Sequence, residues 1–332
     1  MIKPQITSIH FQLTGRCNLR CIFCGQQNGM FGGCLKDREI PPRKWFEIAA
    51  SLRGLSPKPE IVLWGGEPLL YERFDELARH LHDSGFELGV ITNGTLIDRH
   101  AELLNRCFKT IYISLDGDAP YHNRIRGKGV FERVAHNVSL LKNRSGRLIF
   151  LSTLADENVE SAPELPLILG KLGPDLIHLQ RLMYFTRAEI DEYRAWLRRE
   201  FQTDDPTIEV WRREDDREYR SKLDSALAEV RRRAEAGEYP CPVFINPHGG
   251  EEHCLAPFRR AHIKYDGRVL FCTDFYGFDA GNVLTTPLTD IFHGEKAEHY
   301  RREIVAGANP LCTLLVEKQQ GFQTELTRIS AK

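Results

Sequence analysis

Cys17-Asn18-Leu19-Arg20-Cys21-Ile22-Phe23-Cys24 places three cysteines at the spacing C-x3-C-x2-C within one short loop. Cysteine thiolates are the usual protein ligands of iron–sulfur clusters, and a folded loop gathers them and favours their deprotonation. Three thiolates leave one iron of a cubane 4Fe–4S cluster without a protein ligand, so a small molecule can chelate it. Zinc is the alternative reading, but structural zinc sites are usually closed by four ligands. No His or Cys at zinc spacing completes this set nearby.

The flanking sequence sets the loop in an alternation of strands and helices. Residues 6–13, ITSIHFQL, alternate apolar and polar and predict a strand that runs straight into the cysteine loop. Beyond it, EIVLW (60–64), FELGVIT (86–92), TIYISLD (110–116), RLIFLST (147–153) and LIHLQRLM (176–183) predict five more strands. Helices are predicted between them over residues 42–55, 71–84, 98–106, 131–143 and 163–172. Strands alternating with helices call for an α/β fold with a parallel sheet, curled in one sense by right-handed crossovers. The unusual segments all fall at strand ends: the cysteine loop, Gly65-Gly66-Glu67-Pro68, Thr92-Asn93-Gly94 and Ser114-Leu115-Asp116-Gly117. Parallel α/β architectures bind ligands at that edge, so these segments predict one site.

Composition narrows the class. The chain has 332 residues, 42% of them hydrophobic, enough for a large domain and an appendage. A net charge of −1 gives no bulk electrostatic reason to expect nucleic acid or an anionic membrane as partner. The sequence has no apolar run long enough to span a bilayer and no signal-peptide pattern in MIKPQITSIHFQL, so a cytoplasmic location is expected. Nine cysteines gathered towards the two ends read as metal ligands in a reducing compartment.

The cysteine spacing, with Phe23 just before the last thiol, resembles the radical S-adenosylmethionine (radical SAM) superfamily, and Gly65-Gly66-Glu67-Pro68 resembles its GGEP element. The resemblance covers residues 8–183 and implies a partial (β/α)6 barrel over 1–186. It implies a first 4Fe–4S cluster on Cys17, Cys21 and Cys24, with SAM on the open iron. Gly65, Gly66, Glu67 and Pro68 would receive the SAM ammonium on main-chain carbonyls, and Phe23 would lie near adenine. Asn93 would support the site, Ser114 and Asp116 would face the ribose or carboxylate, and Arg126 would pair with the SAM carboxylate. Gln180, Arg181 and Tyr184, on the last strand and just beyond it, are the candidates for substrate contact or catalysis.

Residues 187–240 are rich in Arg and Glu at helical periodicity and predict a charged helical bridge. Arg231-Arg232-Arg233 within it reads as a solvated face. Residues 241–332 hold Cys241, Cys254, Cys272 and Cys312, with AHIKYDGRVLFC predicting a hairpin turned at Asp266-Gly267. Cys254, the G-x4-C ending at Cys272, the following helix and Cys312 resemble the superfamily's auxiliary-cluster domains, of the SPASM type when large and twitch when small. Twitch is the closer match, and it implies a second cluster on Cys254, Cys272 and Cys312. Leu315 stands where that pattern carries its last cysteine. An open iron, closure by Cys241, His253 or Asp274, and a domain without a cluster are the readings left by that departure. Cys107 reads as a buried structural thiol, and Cys34 as a thiol just past the cluster loop.

The resemblance implies reductive cleavage of SAM to a 5′-deoxyadenosyl radical, hydrogen abstraction from a small-molecule or peptide substrate, and a flavodoxin- or ferredoxin-type electron donor. Dehydrogenation aided by the auxiliary cluster is the expected net reaction. Modification or cross-linking of a ribosomal peptide is the alternative, and a non-catalytic iron–sulfur sensor a third. The first strand begins by about residue 6, so recognition of a peptide leader is expected to come from elsewhere than a fused amino-terminal domain.

Overall fold

The computed structural model of the chain describes residues 2–25, 39–245 and 254–317. Cys34, His253 and the tail beyond 317 lie outside the described residues. The six expected strands are present as β1 (Ser8–Thr14), β2 (Glu60–Gly65), β3 (Leu88–Thr92), β4 (Thr110–Ser114), β5 (Arg147–Leu154) and β6 (Leu176–Arg181). They lie side by side and parallel, in chain order. Between them come α1 (Pro42–Leu52), α2 (Phe74–Asp83), α3 (Ala101–Cys107), α4 (Ala119–Arg126), α5 (Val130–Ser139) and α6 (Leu165–Leu169). The sequence reading missed α4. Asp118 caps it by accepting the Tyr121 N–H at 3.1 Å, and Pro120 sits in its first turn, where a missing N–H costs nothing.

The bridge consists of α7 (Arg187–Phe201) and α8 (Arg217–Glu235). A Thr186–Glu189 capping box opens α7. Within the basic run, Arg232 and Arg233 both meet Glu229 at 2.8 Å. Strand β7 (Val243–Ile245) then adds to β6 in parallel, beyond the six strands expected.

The carboxy-terminal segment comprises α9 (Ala256–Arg259), β8 (Arg260–Ile263), β9 (Arg268–Leu270), β10 (Gly281–Asn282), α10 (Leu288–Phe292), α11 (Glu295–Val305) and α12 (Pro310–Glu317). The hairpin turns at Asp266-Gly267, as expected, but its first strand pairs parallel with β1. One ten-stranded sheet therefore runs through both parts of the chain, in the order β10-β9-β8-β1-β2-β3-β4-β5-β6-β7. The single helix expected after the hairpin is two, broken at Gly294.

Strand register fixes which side chains share a face, because residues paired across parallel strands point the same way. Phe11, Leu63, Val90, Ile111, Phe150 and Ile177 all lie on one face, and each is buried and apolar. This face carries the helices; Phe11 stacks on Trp45 of α1 at 4.4 Å between ring centroids. The opposite face of β1 carries His10, Gln12 and Thr14, with Val62 and Trp64 beside them on β2 and His262 on β8. Farther round that face lie Tyr112, Ser114, Thr153, His178 and Gln180.

Candidate active site

The cysteine loop is held where β1 ends. The Arg16 guanidinium donates to Glu39 at 2.8 and 3.1 Å and to the Leu70 carbonyl at 3.3 Å, while the Thr14 hydroxyl donates to the same carboxylate. The loop entry also presses against the end of β2. Gly66 N–H donates to Thr14 O and Glu67 N–H to Arg16 O, both at 2.8 Å. A Cβ on Gly65 would lie 2.3 Å from Thr14 O, and one on Gly66 2.1 Å from Arg16 O. Two glycines are required for this contact. Within the chain, the close main-chain approach foreseen for them is made to the root of the cysteine loop.

Glu67 ties three strand ends together. It is fully buried and accepts from Leu69 N–H at 3.2 Å, Thr92 Oγ1 at 2.6 Å and Asn93 N–H at 2.7 Å. Burial raises its carboxyl to about 7, against the pull of those donors. Pro68, buried, opens the short 3₁₀ turn Pro68–Leu70 that presents the Leu69 N–H. Asn93 in turn donates through Nδ2 to Asn18 Oδ1 at 2.9 Å and to Cys17 Sγ at 3.8 Å. Its Oδ1 accepts from Thr95 N–H and Oγ1, which fixes the amide orientation.

The other wall is built on Asp116. Its carboxylate takes Arg126 in a fork, with Nη2 to Oδ1 at 3.2 Å, and accepts Thr153 N–H at 3.0 Å. His122 Nδ1 accepts the Asp116 N–H at 3.2 Å, and burial lowers this imidazole to about 4, so it stays neutral. The Asp116 oxygens are thus taken within the protein and hold Arg126. Arg126 reaches Cys21 Sγ at 3.8 Å through Nη1 and lies 5.7 Å from the centre of the Phe23 ring. Burial opposes its charge, but Asp116 and Cys21 together keep its pKa above the usual arginine value. Ser114 lies on the inner face, in register with Leu151.

These groups suit thiolates that bind metal. Cys17 Sγ accepts the Leu19 N–H at 3.4 Å besides the Asn93 amide, and Cys21 faces a guanidinium. Donors to sulfur of this kind orient ligating thiolates and tune the metal they hold. Burial pushes the metal-free Cys17 thiol up to about 11 and raises Cys21 as well. Deprotonation of both therefore follows metal binding.

Cys254, Cys272, Cys312 and Asp274 lie within electrostatic reach of one another. Cys241 does not join them. It precedes β7, and its acidic neighbour is Asp175, just before β6. Its candidacy as a fourth ligand is therefore corrected: β7 extends the sheet beyond β6 and fixes the thiol there. Arg181 and Tyr184 also fall away as candidates. Arg181 shares the helix-facing side of β6 with Ile177 and Leu179, among Tyr219, Asp224 and Arg220 of α8. Tyr184 donates to Asp156 at 3.2 Å and packs edge-on to Tyr219 under Arg213. Gln180 alone of the three shares the inner face, level with Thr153.

Sequence reasoning missed the middle of that face. Gln12 is fully buried, yet among the described residues neither Oε1 nor Nε2 has a hydrogen-bond partner. Among the described residues, His10 Nδ1, Trp64 Nε1 and His262 Nδ1 are likewise buried without partners. The two imidazoles meet edge to face at 4.5 Å, and Trp64 lies 6.3 Å from His262. Burial lowers His10 to about 3 and His262 well below its usual value, so both are neutral. The available signal was the polar alternation of ITSIHFQL, because a parallel strand covered on both faces reads as continuously apolar.

Comparison with known proteins agrees with this geometry. Residues 11–165 match the radical SAM superfamily model, and residues 254–314 match the SPASM model, an iron–sulfur cluster-binding domain. An AdoMet-dependent heme synthase of Methanosarcina barkeri is 26% identical over 307 residues, covering 89% of this chain and 83% of its own length. Streptococcus suis SuiB bound to S-adenosylmethionine superposes with a TM-score of 0.68 at 15% identity, over 92% of this chain and 68% of that one. The enzyme anSMEcpe, solved with AdoMet and a Cp18Cys peptide, superposes at 0.65 and 16% identity, over 92% and 84%. Among the described residues, no helix is long and apolar enough to cross a membrane. The two domain matches together imply 4Fe–4S clusters and SAM as cofactors. The chain is a radical SAM enzyme with a carboxy-terminal SPASM-type iron–sulfur domain.

Proposed function

We propose that the chain dehydrogenates an uncharged, hydrogen-bonding organic molecule held on the inner face of the sheet, between its two cysteine sites. The observation that carries this reading is the set of buried polar atoms on Gln12, His10, Trp64 and His262 that have no partner among the described residues. A buried donor or acceptor left without a partner costs about 1–3 kcal/mol. Four such side chains together are a sign that something absent from the free chain completes them. They offer N–H donors and carbonyl or imidazole acceptors with no net charge, which suits an amide, hydroxyl or heteroaromatic group.

A 4Fe–4S cluster on Cys17, Cys21 and Cys24 with SAM on its open iron supplies the 5′-deoxyadenosyl radical in this superfamily. The chain's own residues then have separable tasks. Asn93 and Arg126 orient the Cys17 and Cys21 sulfurs. Glu67 locks the loop that carries Gly65 and Gly66, and Arg126 is the cation available to an anionic cofactor group. Gln12 and the neutral imidazoles orient the substrate. Removal of one hydrogen atom, one electron and one proton amounts to a two-electron oxidation. Tyr276 lies within electrostatic range of Asp274 and Cys272 and also of Cys24, which supports a second site near the first. A peptide substrate is the second reading, favoured by the match between a carboxamide-lined surface and peptide amides.

The test is anaerobic turnover with SAM and a reductant, using separate pools of small metabolites and of peptides. Dehydrogenation predicts a product lighter by two hydrogens, with substrate deuterium recovered in 5′-deoxyadenosine. A product of unchanged hydrogen count, or deuterium transfer from peptides alone, would refute oxidation of a small molecule.

A further inference from the structure

We propose that Asp274 is the fourth protein ligand of the cluster bound by Cys254, Cys272 and Cys312, a carboxylate oxygen filling the place that Leu315 leaves. The assignment rests on the presence of the auxiliary cluster and adds its missing donor.

The first observation is position. Asp274 Oδ2 lies 4.0 Å from Cys272 Sγ, and the Asp274 N–H donates to the same sulfur at 3.4 Å. That turn repeats the one in the first loop, where Leu19 N–H donates to Cys17 Sγ at 3.4 Å. Cys254, Cys272 and Cys312 all feel the Asp274 charge. The carboxylate therefore touches one of the three thiols and lies within electrostatic range of the other two.

The second observation is how poorly Asp274 is supplied. Other inward carboxylates in the chain have donors on every side. Glu67 takes two N–H groups and a hydroxyl. Asp116 takes Arg126 and an N–H. Asp205 takes Thr207, Tyr276 and Gly277 through their N–H groups. Asp274 has the Thr273 hydroxyl at 3.4 Å and the Cys272 thiol. Among the described residues it makes no ion pair with Lys, Arg or His. Asp274 is half-buried beside the Cys272 thiol, and a carboxylate so placed without a cation is free to coordinate a metal.

The donor set then closes chemically. A cubane needs one terminal ligand per iron, and three thiolates supply three. A carboxylate brings the same single negative charge as the absent thiolate, so the ligated cluster keeps the net charge of an all-cysteine site.

The test uses the full chain with Cys17, Cys21 and Cys24 all changed to alanine, so that only auxiliary iron is counted. After anaerobic reconstitution this parent should hold about four iron atoms per chain and resist conversion to a three-iron cluster by ferricyanide. Asp274→Ala in the same parent should lose one iron readily and give the electron paramagnetic resonance signal of a three-iron cluster. Asp274→Cys should restore resistance, which separates ligation from a folding defect, and Thr273→Val should behave as the parent. If the parent is already as labile as Asp274→Ala, the iron is open and the carboxylate assignment is wrong. If the parent binds no iron, the auxiliary cluster itself is absent and the reading beneath the proposal fails as well.

Discussion

Replacing a fully buried residue of a central strand usually destabilises a protein, but Gln12→Met should stabilise this one. Gln12 lies on β1 with both side-chain polar atoms buried and, among the described residues, unpartnered. Methionine has nearly the same length and flexibility, so the change removes the orphaned carboxamide and leaves little cavity. Relieving a buried unsatisfied polar group is worth about 1–3 kcal/mol. For a chain of this size that corresponds to a rise in Tm of roughly 1–4 °C. The assay is urea unfolding of the metal-free chain followed by far-ultraviolet circular dichroism, with m compared so that a changed denatured state is recognised. The same variant should lose substrate turnover while SAM cleavage without product persists, because among the described residues the Gln12 side chain makes no hydrogen bond to the cysteine loop. A loss of 1 kcal/mol or more, on the scale of a broken hydrogen bond, would mean that the carboxamide is satisfied in the free chain. The inner face would then be a settled core, and the argument that it awaits a ligand would fail.

Three further outcomes follow from the same contacts. Gly66→Ala should prevent stable iron binding at the first site, since its Cβ would stand 2.1 Å from Arg16 O; iron content after desalting measures this. Asp116→Asn should cost about 3–5 kcal/mol in denaturant unfolding, because it leaves the buried Arg126 guanidinium without its counter-charge. Glu67, raised by burial from 4.5 to about 7, contributes stability that is complete below pH 4.5 and is lost as pH rises through 7. Relative to Glu67→Gln, the wild-type chain should therefore lose about 3 kcal/mol between pH 4.5 and 8. The comparison between variants is needed because His122, lowered by burial to about 4, acts in the opposite sense as pH falls from 6.5.

Much of the site was legible because its constraints are local. A cysteine triplet at ligand spacing must be a loop, and a Gly-Gly pair at a strand end must allow a close approach. Strands alternating with helices put those segments on one edge. The six strands and the hairpin at Asp266-Gly267 followed from such signals. What escaped were facts of tertiary placement. Nothing in residues 117–126 says that a capped helix will carry Arg126 back to Asp116 and Cys21. The side of β6 on which Arg181 falls depends on register with β5, and α8 claims that side. Cys241 stood open as a fourth ligand in the sequence, whereas it leads into β7 at one end of the strand order and Cys254 leads into α9 and β8 on the far side of β1.

The pairing of β8 with β1 joins the segments that carry the two cysteine groups into one sheet. It puts His262 beside His10, so the carboxy-terminal segment completes the face on which Gln12 and Trp64 lie. The strand that leads into the first cysteine loop is also the strand on which the hairpin ending at Cys272 is built. A shift of one residue in the β1–β8 register would turn His262 to the helix side and break the polar surface. It would also move Cys272 relative to the first loop. The hairpin therefore acts as part of the barrel wall as well as a carrier of ligands, and substitutions that loosen it should disturb substrate coupling even when iron content is unchanged. Ile263→Thr tests this: Ile263 is fully buried opposite Phe11, and its register partners lie on the apolar face. The expected outcome is a rise in 5′-deoxyadenosine formed per product with iron retained. An unchanged ratio in a destabilised variant would show that the hairpin holds ligands and nothing more.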